Sequence, residues 1–258
     1  MTVFTFMNLI NNSQTMLEKT KNQPELSVVV LCYKSGKTII PYIEQMEREF
    51  REDGMDNYEL VLVGNYFPGT NDKTPEIIRE LARNNSKILP VTLEKKGMLG
   101  WDVIKGFKAA NGRAIALIDG DGQMPSRDII RLYRVLKSGE FDLVKTFRKT
   151  RMDGFRRKFI SWFYNAIFRI LFPKIYFRDI NSKPKIITRE AYNKMKLECN
   201  GWFIDGEIML ESMRLDLNVA EMPTVFLENE WRGSFVKLWT IFEFLWHMVV
   251  YRIKYWFK

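Results

Sequence analysis

The stretch Ala114-Ile-Ala-Leu-Ile-Asp119-Gly-Asp121-Gly-Gln123-Met-Pro125 decides the fold. It begins as a near-continuous apolar run, the composition of a strand covered on both faces. The run ends in acids. In an extended segment residues i and i+2 point the same way, so Asp119 and Asp121 can face one ligand. Such a carboxylate pair suits Mg2+ or Mn2+, hard cations that share their coordination shell with phosphate oxygens. Gly120 and Gly122 let a backbone or a ligand approach closely. A solvated turn would use the same residue types, and it is the position after a buried strand that favours a ligand site.

Upstream, the same rhythm repeats. Residues 26–32 form a short β-branched run, followed by Tyr33-Lys-Ser-Gly36 and a helical pattern over 38–51. A second strand over 58–63 leads through a turn-rich loop at Gly64-Asn65 to a helix over 75–83. A third begins at 88–93 and passes a Gly97/Gly100 loop into a helix over 101–110. Strands alternating with helices predict an α/β fold, a mostly parallel sheet covered by helices, with ligands gathered at the carboxyl ends of the strands. The loops at Tyr33, Asn65, Lys96 and Asp119 then share one rim, which makes Tyr33, Asn65 and Lys96 candidates for donor contact. Downstream, the pattern predicts a helix over 126–137, a strand over 142–146 and a basic linker over 148–158.

With 258 residues, 46% of them apolar, the chain can bury a full core, which excludes a mainly disordered protein. A net charge of +9 suits anionic partners, but 14% aromatic residues, with Trp and Tyr set among Lys and Arg near the end, favour a membrane interface over nucleic acid. The two cysteines are too few for a disulfide framework. The single histidine, His247, excludes a His-based zinc site or serine-type triad. Residues 1–24 lack the basic start and apolar stretch of a signal peptide and read as an N-terminal extension of unassigned role. Residues 25–234 form the expected main domain.

Two segments address the membrane question. Over 156–172, Ser161, Asn165 and Arg169 form a narrow polar stripe on an otherwise apolar helix. Residues 235–258 repeat the theme, with Glu243 and His247 interrupting an aromatic helix. A spanning helix needs about 20 mostly apolar residues, so in-plane, monotopic or peripheral association is expected instead. Packing of both helices on the domain is the alternative.

Taken in order, these motifs resemble family 2 glycosyltransferases of the GT-A (Rossmann-like) fold, in the branch of dolichol-phosphate mannose synthases and polyprenyl-phosphate glycosyltransferases. The resemblance rests on Lys96-Gly97-x-x-Gly100, Gly106-x-x-x-Ala110-x-Gly112, Asp119-x-Asp121-x-Gln123-x-Pro125, Arg148, Arg156-Arg157-Lys158, Arg178-Asp179-Ile-Asn-Ser182, Glu207, Glu221-Met-Pro223 and Trp231-Arg232-Gly233-Ser234-x-x-Lys237. It implies that Asp121 ligates Mg2+ or Mn2+, that Asp119 and Gln123 support metal, ribose or diphosphate, and that Arg232 neutralises the leaving nucleoside diphosphate. Arg148, Arg157 and Ser182 fall where the branch places its acceptor-phosphate residues, and guanidinium offers paired donors to phosphate oxygens. Two departures stand out. Asn65 occupies a position where relatives usually carry an acid that reads the base, and Asn181-Ser-Lys-Pro-Lys185 replaces a Ser-Gly-Phe-Arg type of loop.

The expected activity is an inverting sugar transfer from a nucleoside-diphosphate sugar to a polyprenyl phosphate at the cytoplasmic face of a membrane. A membrane partner or a second copy of the chain is compatible with it. A lipid phosphate is already an anion and needs no strong base. A hydroxyl acceptor on a glycan or lipid-linked sugar would need one, with Asp179 and Asp205 as candidates. A non-enzymatic membrane adaptor is the remaining alternative.

Overall fold

The computed structural model describes residues 23–151, 155–173, 176–227 and 238–256; the side chains of 150–161, 238–241 and 255–256 lie outside that description. Residues 1–22 of the expected N-terminal extension and the 231–237 motif lie outside it as well.

The apolar runs become strands β1 (Leu26–Leu31), β2 (Tyr58–Val63), β3 (Ile88–Val91) and β4 (Ala114–Asp119), joined by helices α1 (Ile39–Glu52), α2 (Thr74–Asn84) and α3 (Leu99–Ala109). After β4 come α4 (Arg127–Leu136), β5 (Leu143–Arg151), α5 (Phe155–Leu171), β6 (Lys185–Thr188), α6 (Arg189–Lys194), α7 (Ile204–Arg214), β7 (Val219–Phe226) and α8 (Leu238–Trp256). One seven-stranded sheet runs in the order β3-β2-β1-β4-β6-β5-β7. The pairs β1/β2, β1/β4, β2/β3 and β5/β7 are parallel, whereas β6 is antiparallel to both β4 and β5.

Period-two alternation along the strands sorts the core into two layers. Val29, Leu31, Ile115 and Leu117 pack with Phe107 of α3, Phe168 of α5, Ile208 of α7 and Met248 of α8. Val28, Val30, Ala116 and Ile118 face the other way, onto Ile43 of α1, Ile78 of α2 and Ile129 of α4. Chain order reverses between β1 and β4, so their carboxyl ends, the loops after Leu31 and Asp119, flank the crevice where open α/β sheets hold ligands.

One segment departs from the expected pattern. Arg148 to Arg151 extends β5 rather than forming a linker, because β7 supplies partners as far as Arg151 opposite Phe226, with a register shift between Arg148 and Thr150. Two residues of the polar stripe on α5 bond to the 177–180 loop. Asn165 is buried and its Oδ1 accepts the Ile180 N–H at 3.1 Å, while Arg169 donates to the carbonyls of Phe177 and Arg178.

The loop before α3 is stitched to the loop before α7. Met98 N–H donates to Asn200 O and Gly100 N–H to Gly201 O, both at 2.7 Å. A Cβ on Gly100 would stand 1.9 Å from the Cys199 carbonyl oxygen, so only glycine permits this approach. Gly100→Ala is therefore expected to lower stability by about 1–3 kcal/mol, read as a drop in the urea unfolding midpoint.

Candidate functional site

The loop after β4 is held by hydrogen bonds of its own. Gly122 sits at φ +71°, a backbone shape that other residues rarely take, and turns the chain so that Gln123 N–H donates to Asp121 Oδ1 at 3.1 Å. Beneath it, the Tyr42 hydroxyl of α1 donates to Met124 O at 3.2 Å. Burial first, then the charges of Asp121 and Asp119, push the Tyr42 hydroxyl well above its ordinary range, so it stays a neutral donor. Gln123 also holds the end of β7: Leu227 N–H donates to Gln123 O at 2.9 Å and Gln123 Nε2 to Leu227 O at 3.0 Å.

Behind Asp119 runs an alternating line of charge. Lys183 Nζ lies 3.3 Å from Asp119 Oδ2 and 3.1 Å from Asp205 Oδ2, and Lys185 Nζ lies 2.6 Å from Asp205 Oδ1. Lys183, Lys185 and Asp205 are buried, whereas the Asp119 side chain remains 35% exposed. Continuing the β4/β6 register, Leu117 opposite Lys185, by two residues sets Asp119 opposite Lys183. Burial opposes the charge on Asp205, but Lys183 and Lys185 outweigh it and hold the carboxyl below its ordinary range. Burial pushes the Lys185 ammonium down to about 8, against the pull of Asp205.

Asp179 belongs to a second ion pair. Arg148 Nε and Nη2 grip its two oxygens at 2.6 and 2.8 Å, and its backbone carbonyl accepts from the buried Lys145 Nζ at 2.5 Å. Burial again works against the charge, and Arg148 overrides it, leaving the carboxyl well below the usual range. Ser182, fully buried, shares a 2.8 Å hydrogen bond with Thr146 Oγ1.

On the donor side, Asn65 is fully buried. Its Nδ2 donates to Asp102 Oδ1 and its Oδ1 accepts the Leu93 N–H, each at 2.8 Å. Each end of that amide thus has a partner, which ties together the loop after β2, the loop after β3 and α3. Lys96 is exposed; its buried neighbour Lys95 forms the ion pair with Asp102 and lies 4.6 Å from the centre of the half-buried Tyr33 ring. Arg157, whose side chain is outside the described residues, and Arg232, which is outside them altogether, are given no place.

The structure therefore brings Asp119, Asp121 and Gln123 to one rim, with Tyr33 on the neighbouring loop. It sets Asp179, Asp205 and Ser182 in the buried layer behind, where Asp179 pairs with the half-buried Arg148, Asp205 with Lys183 and Lys185, and Ser182 with Thr146. Sequence reasoning missed Lys183, Lys185 and Tyr42. The available signal was a pair of lysines leading into the apolar Ile186-Ile187, where a charge is costly unless an acid meets it.

Among the described residues, no group of three or more His, Cys, Asp or Glu side chains is placed to hold a metal ion alone. Two partly exposed carboxylates at a strand end fit a cation whose remaining ligands come from a phosphate-bearing molecule.

The chain matches the model of Glycosyl transferase family 2 over residues 27–199. It is 28% identical over 207 residues to glycosyltransferase AglD of Haloferax volcanii, covering 77% of this chain and 32% of that protein. It is 30% identical over 241 residues to a dolichol-phosphate mannosyltransferase of Pyrococcus furiosus, covering 90% of this chain and 64% of the other. A third relative, an undecaprenyl-phosphate 4-deoxy-4-formamido-L-arabinose transferase of Pectobacterium atrosepticum, is 30% identical over 155 residues, 60% of this chain and 45% of that protein. This chain thus spans less than two thirds of the length of each. Glucosyl-3-phosphoglycerate synthase of Mycobacterium tuberculosis, solved with Mn2+, uridine diphosphate and glucosyl-3-phosphoglycerate, superposes with a TM-score of 0.68 at 18% identity, over 91% of this chain and 81% of that one. The fold is accordingly GT-A.

Because the folded chain holds Asp179 and Asp205 below the ordinary carboxylate range, the unfolded chain takes up protons at both positions first as pH falls. The stability they contribute is complete above about pH 4 and is lost progressively below it. Thermal unfolding followed from about pH 7 to about pH 3 should show Tm falling most steeply below about pH 4, and a level Tm through that range would argue against both ion pairs.

Proposed function

Because the chain belongs to glycosyl transferase family 2, we propose that it is an inverting, metal-dependent hexosyltransferase that moves a sugar from a GDP- or UDP-linked donor to a polyprenyl phosphate. Support for the acceptor comes from the relatives named for dolichol and undecaprenyl phosphate, and from one observation in this chain. Asp179 and Asp205, the carboxylates that could have activated a hydroxyl, are each held in buried ion pairs with their proton affinity lowered. A weak, enclosed base suits an acceptor that is an anion from the start. The phosphate oxygen forms the new bond to the anomeric carbon as the bond to the diphosphate breaks, and the electron pair leaves with the nucleoside diphosphate.

In this reading Asp121, with Asp119 and Gln123 beside it, holds Mg2+ or Mn2+. When bound, the cation offsets charge on the leaving diphosphate. Gln123 keeps the Asp121 carboxyl oriented through its N–H, and the Tyr42 hydroxyl holds the loop onto α1. Arg232 is assigned to the leaving diphosphate, and Arg148 and Arg157 to the acceptor phosphate, with Asp179 keeping the Arg148 guanidinium in place until then. Tyr33 and Lys96 border the donor, with Lys95 and Asp102 behind Tyr33.

The membrane surface is assigned to α5 and α8. Among the described residues no helix is long and apolar enough to cross a membrane. Both helices instead pack one face on the domain and leave large apolar side chains exposed on the other. Glu243 of α8 accepts the Trp202 N–H at 2.8 Å and His247 stacks on Phe203, while Phe242 and Trp246 are 63% and 67% exposed. On α5, Trp162 and Ile170 are 64% and 77% exposed. These exposed apolar side chains support peripheral binding in the plane of the interface. The cytoplasmic leaflet, 25–234 as the transferase domain and 235–258 as the membrane-associating helix belong to the same reading.

Turnover should appear with one of a panel of GDP- and UDP-sugars on a short polyprenyl phosphate, require Mg2+ or Mn2+, and fall at least about 100-fold in Asp121→Ala. Turnover only with sugar hydroxyls would displace the lipid-phosphate reading. Replacing Phe242 and Trp246 together by Glu should weaken co-sedimentation with phosphatidylglycerol vesicles by about tenfold or more while leaving the far-UV spectrum unchanged. Unchanged sedimentation would move the membrane surface elsewhere.

A further inference from the structure

We propose that Lys183 is a resident counter-ion of the metal site, a positioning residue that holds the Asp119 carboxylate and lowers the affinity of the empty site for a divalent cation. This rests on the reading of Asp119 and Asp121 as the metal-binding acids. Lys183 is 4% exposed, and its ammonium lies 3.3 Å from Asp119 and 3.1 Å from Asp205. It reaches them from a loop in which Asn181-Ser182-Lys183-Pro184-Lys185 brings two buried lysines to the mouth of β6. Asp205 alone does not require both of them, because Lys185 already meets its other oxygen at 2.6 Å. The second carboxylate that Lys183 serves is therefore Asp119.

Two consequences follow from the charge arithmetic. An ammonium in hydrogen-bond contact with one carboxylate of a metal site repels an incoming cation through the same short distances that attract the carboxylate. It also fixes Asp119 on one side of the crevice, so that the net charge offered to Mn2+ or Mg2+ is smaller than two acids imply. A site of this kind fills chiefly when a diphosphate arrives to supply additional anionic oxygens, which ties metal occupancy to donor binding.

Mn2+ binding to the full chain without nucleotide, measured from the EPR signal of free Mn2+, tests the inference directly. Lys183→Met should tighten Mn2+ binding by about tenfold or more, and Lys183→Arg should leave it close to wild type, because a cation is retained. A purely structural role predicts the opposite sign for Lys183→Met, so binding that is unchanged or weaker in a folded Lys183→Met chain overturns the proposal. If Lys183→Met does not fold, Lys183→Gln, which keeps an N–H donor while removing the charge, decides: Mn2+ binding tightened by about tenfold or more supports the proposal, and binding unchanged or weaker overturns it. Absence of Mn2+ binding in wild type and in every variant, with UDP present as well as without it, would instead remove the metal site itself and the proposal with it.

Discussion

The alternating row Asp119, Lys183, Asp205, Lys185 is the constraint around which the carboxyl end of β4 and its neighbours are arranged. Its members come from the end of β4, the loop entering β6 and the start of α7. A buried charge with its partner removed costs about 3–5 kcal/mol, so each of these elements is held to the others at the position of its charged group. The antiparallel entry of β6 between β4 and β5 supplies the geometry, because only a strand running back against β4 can set Lys183 beside the acid that closes β4. A parallel strand in that place would bring its carboxyl end to the rim and leave the lysines at the opposite edge.

The second ion pair, Arg148 with Asp179, repeats the device one strand further on, with the Lys145 ammonium donating to the Asp179 carbonyl from below. Exposed pairs such as Arg127 with Glu52 add little, since water screens both partners. The polar weight of the fold therefore lies beneath the crevice rather than on its surface.

A chain of short contacts links the crevice to the helix assigned to the membrane. Tyr251 of α8 donates to Glu207, whose oxygens also accept the N–H groups of Glu198 and Cys199 at 2.9 Å. That same loop, through Asn200 and Gly201, receives the N–H groups of Met98 and Gly100 on the donor side. Burial raises the Glu207 carboxyl, and the donors around it resist that rise. Helix α8 is thus fastened to the backbone that shapes the loop before α3, and the glycine at position 100 is what allows the two loops to touch.

The sequence by itself determined the parallel half of the sheet, the rim acids and the paired apolar helices, because each is written in local pattern: unbroken apolar runs, acids at a strand end, and aromatic residues at helical spacing. It also yielded the family, through the order of short motifs. Only the tertiary structure decided what those residues meet. Asn65, a candidate for base contact, meets Asp102 and the Leu93 amide, and Asp179 and Asp205, candidate bases by residue type, are ion-paired. The stripe containing Asn165 and Arg169 was open to either environment, and its hydrogen bonds go to the 177–180 loop. In each case the partner lies at least 8 residues away along the chain, and most lie 15 or more away. The protonation and availability of a polar side chain depend on burial and on the nearest charge, and both are set by strand order and register, which local sequence does not carry.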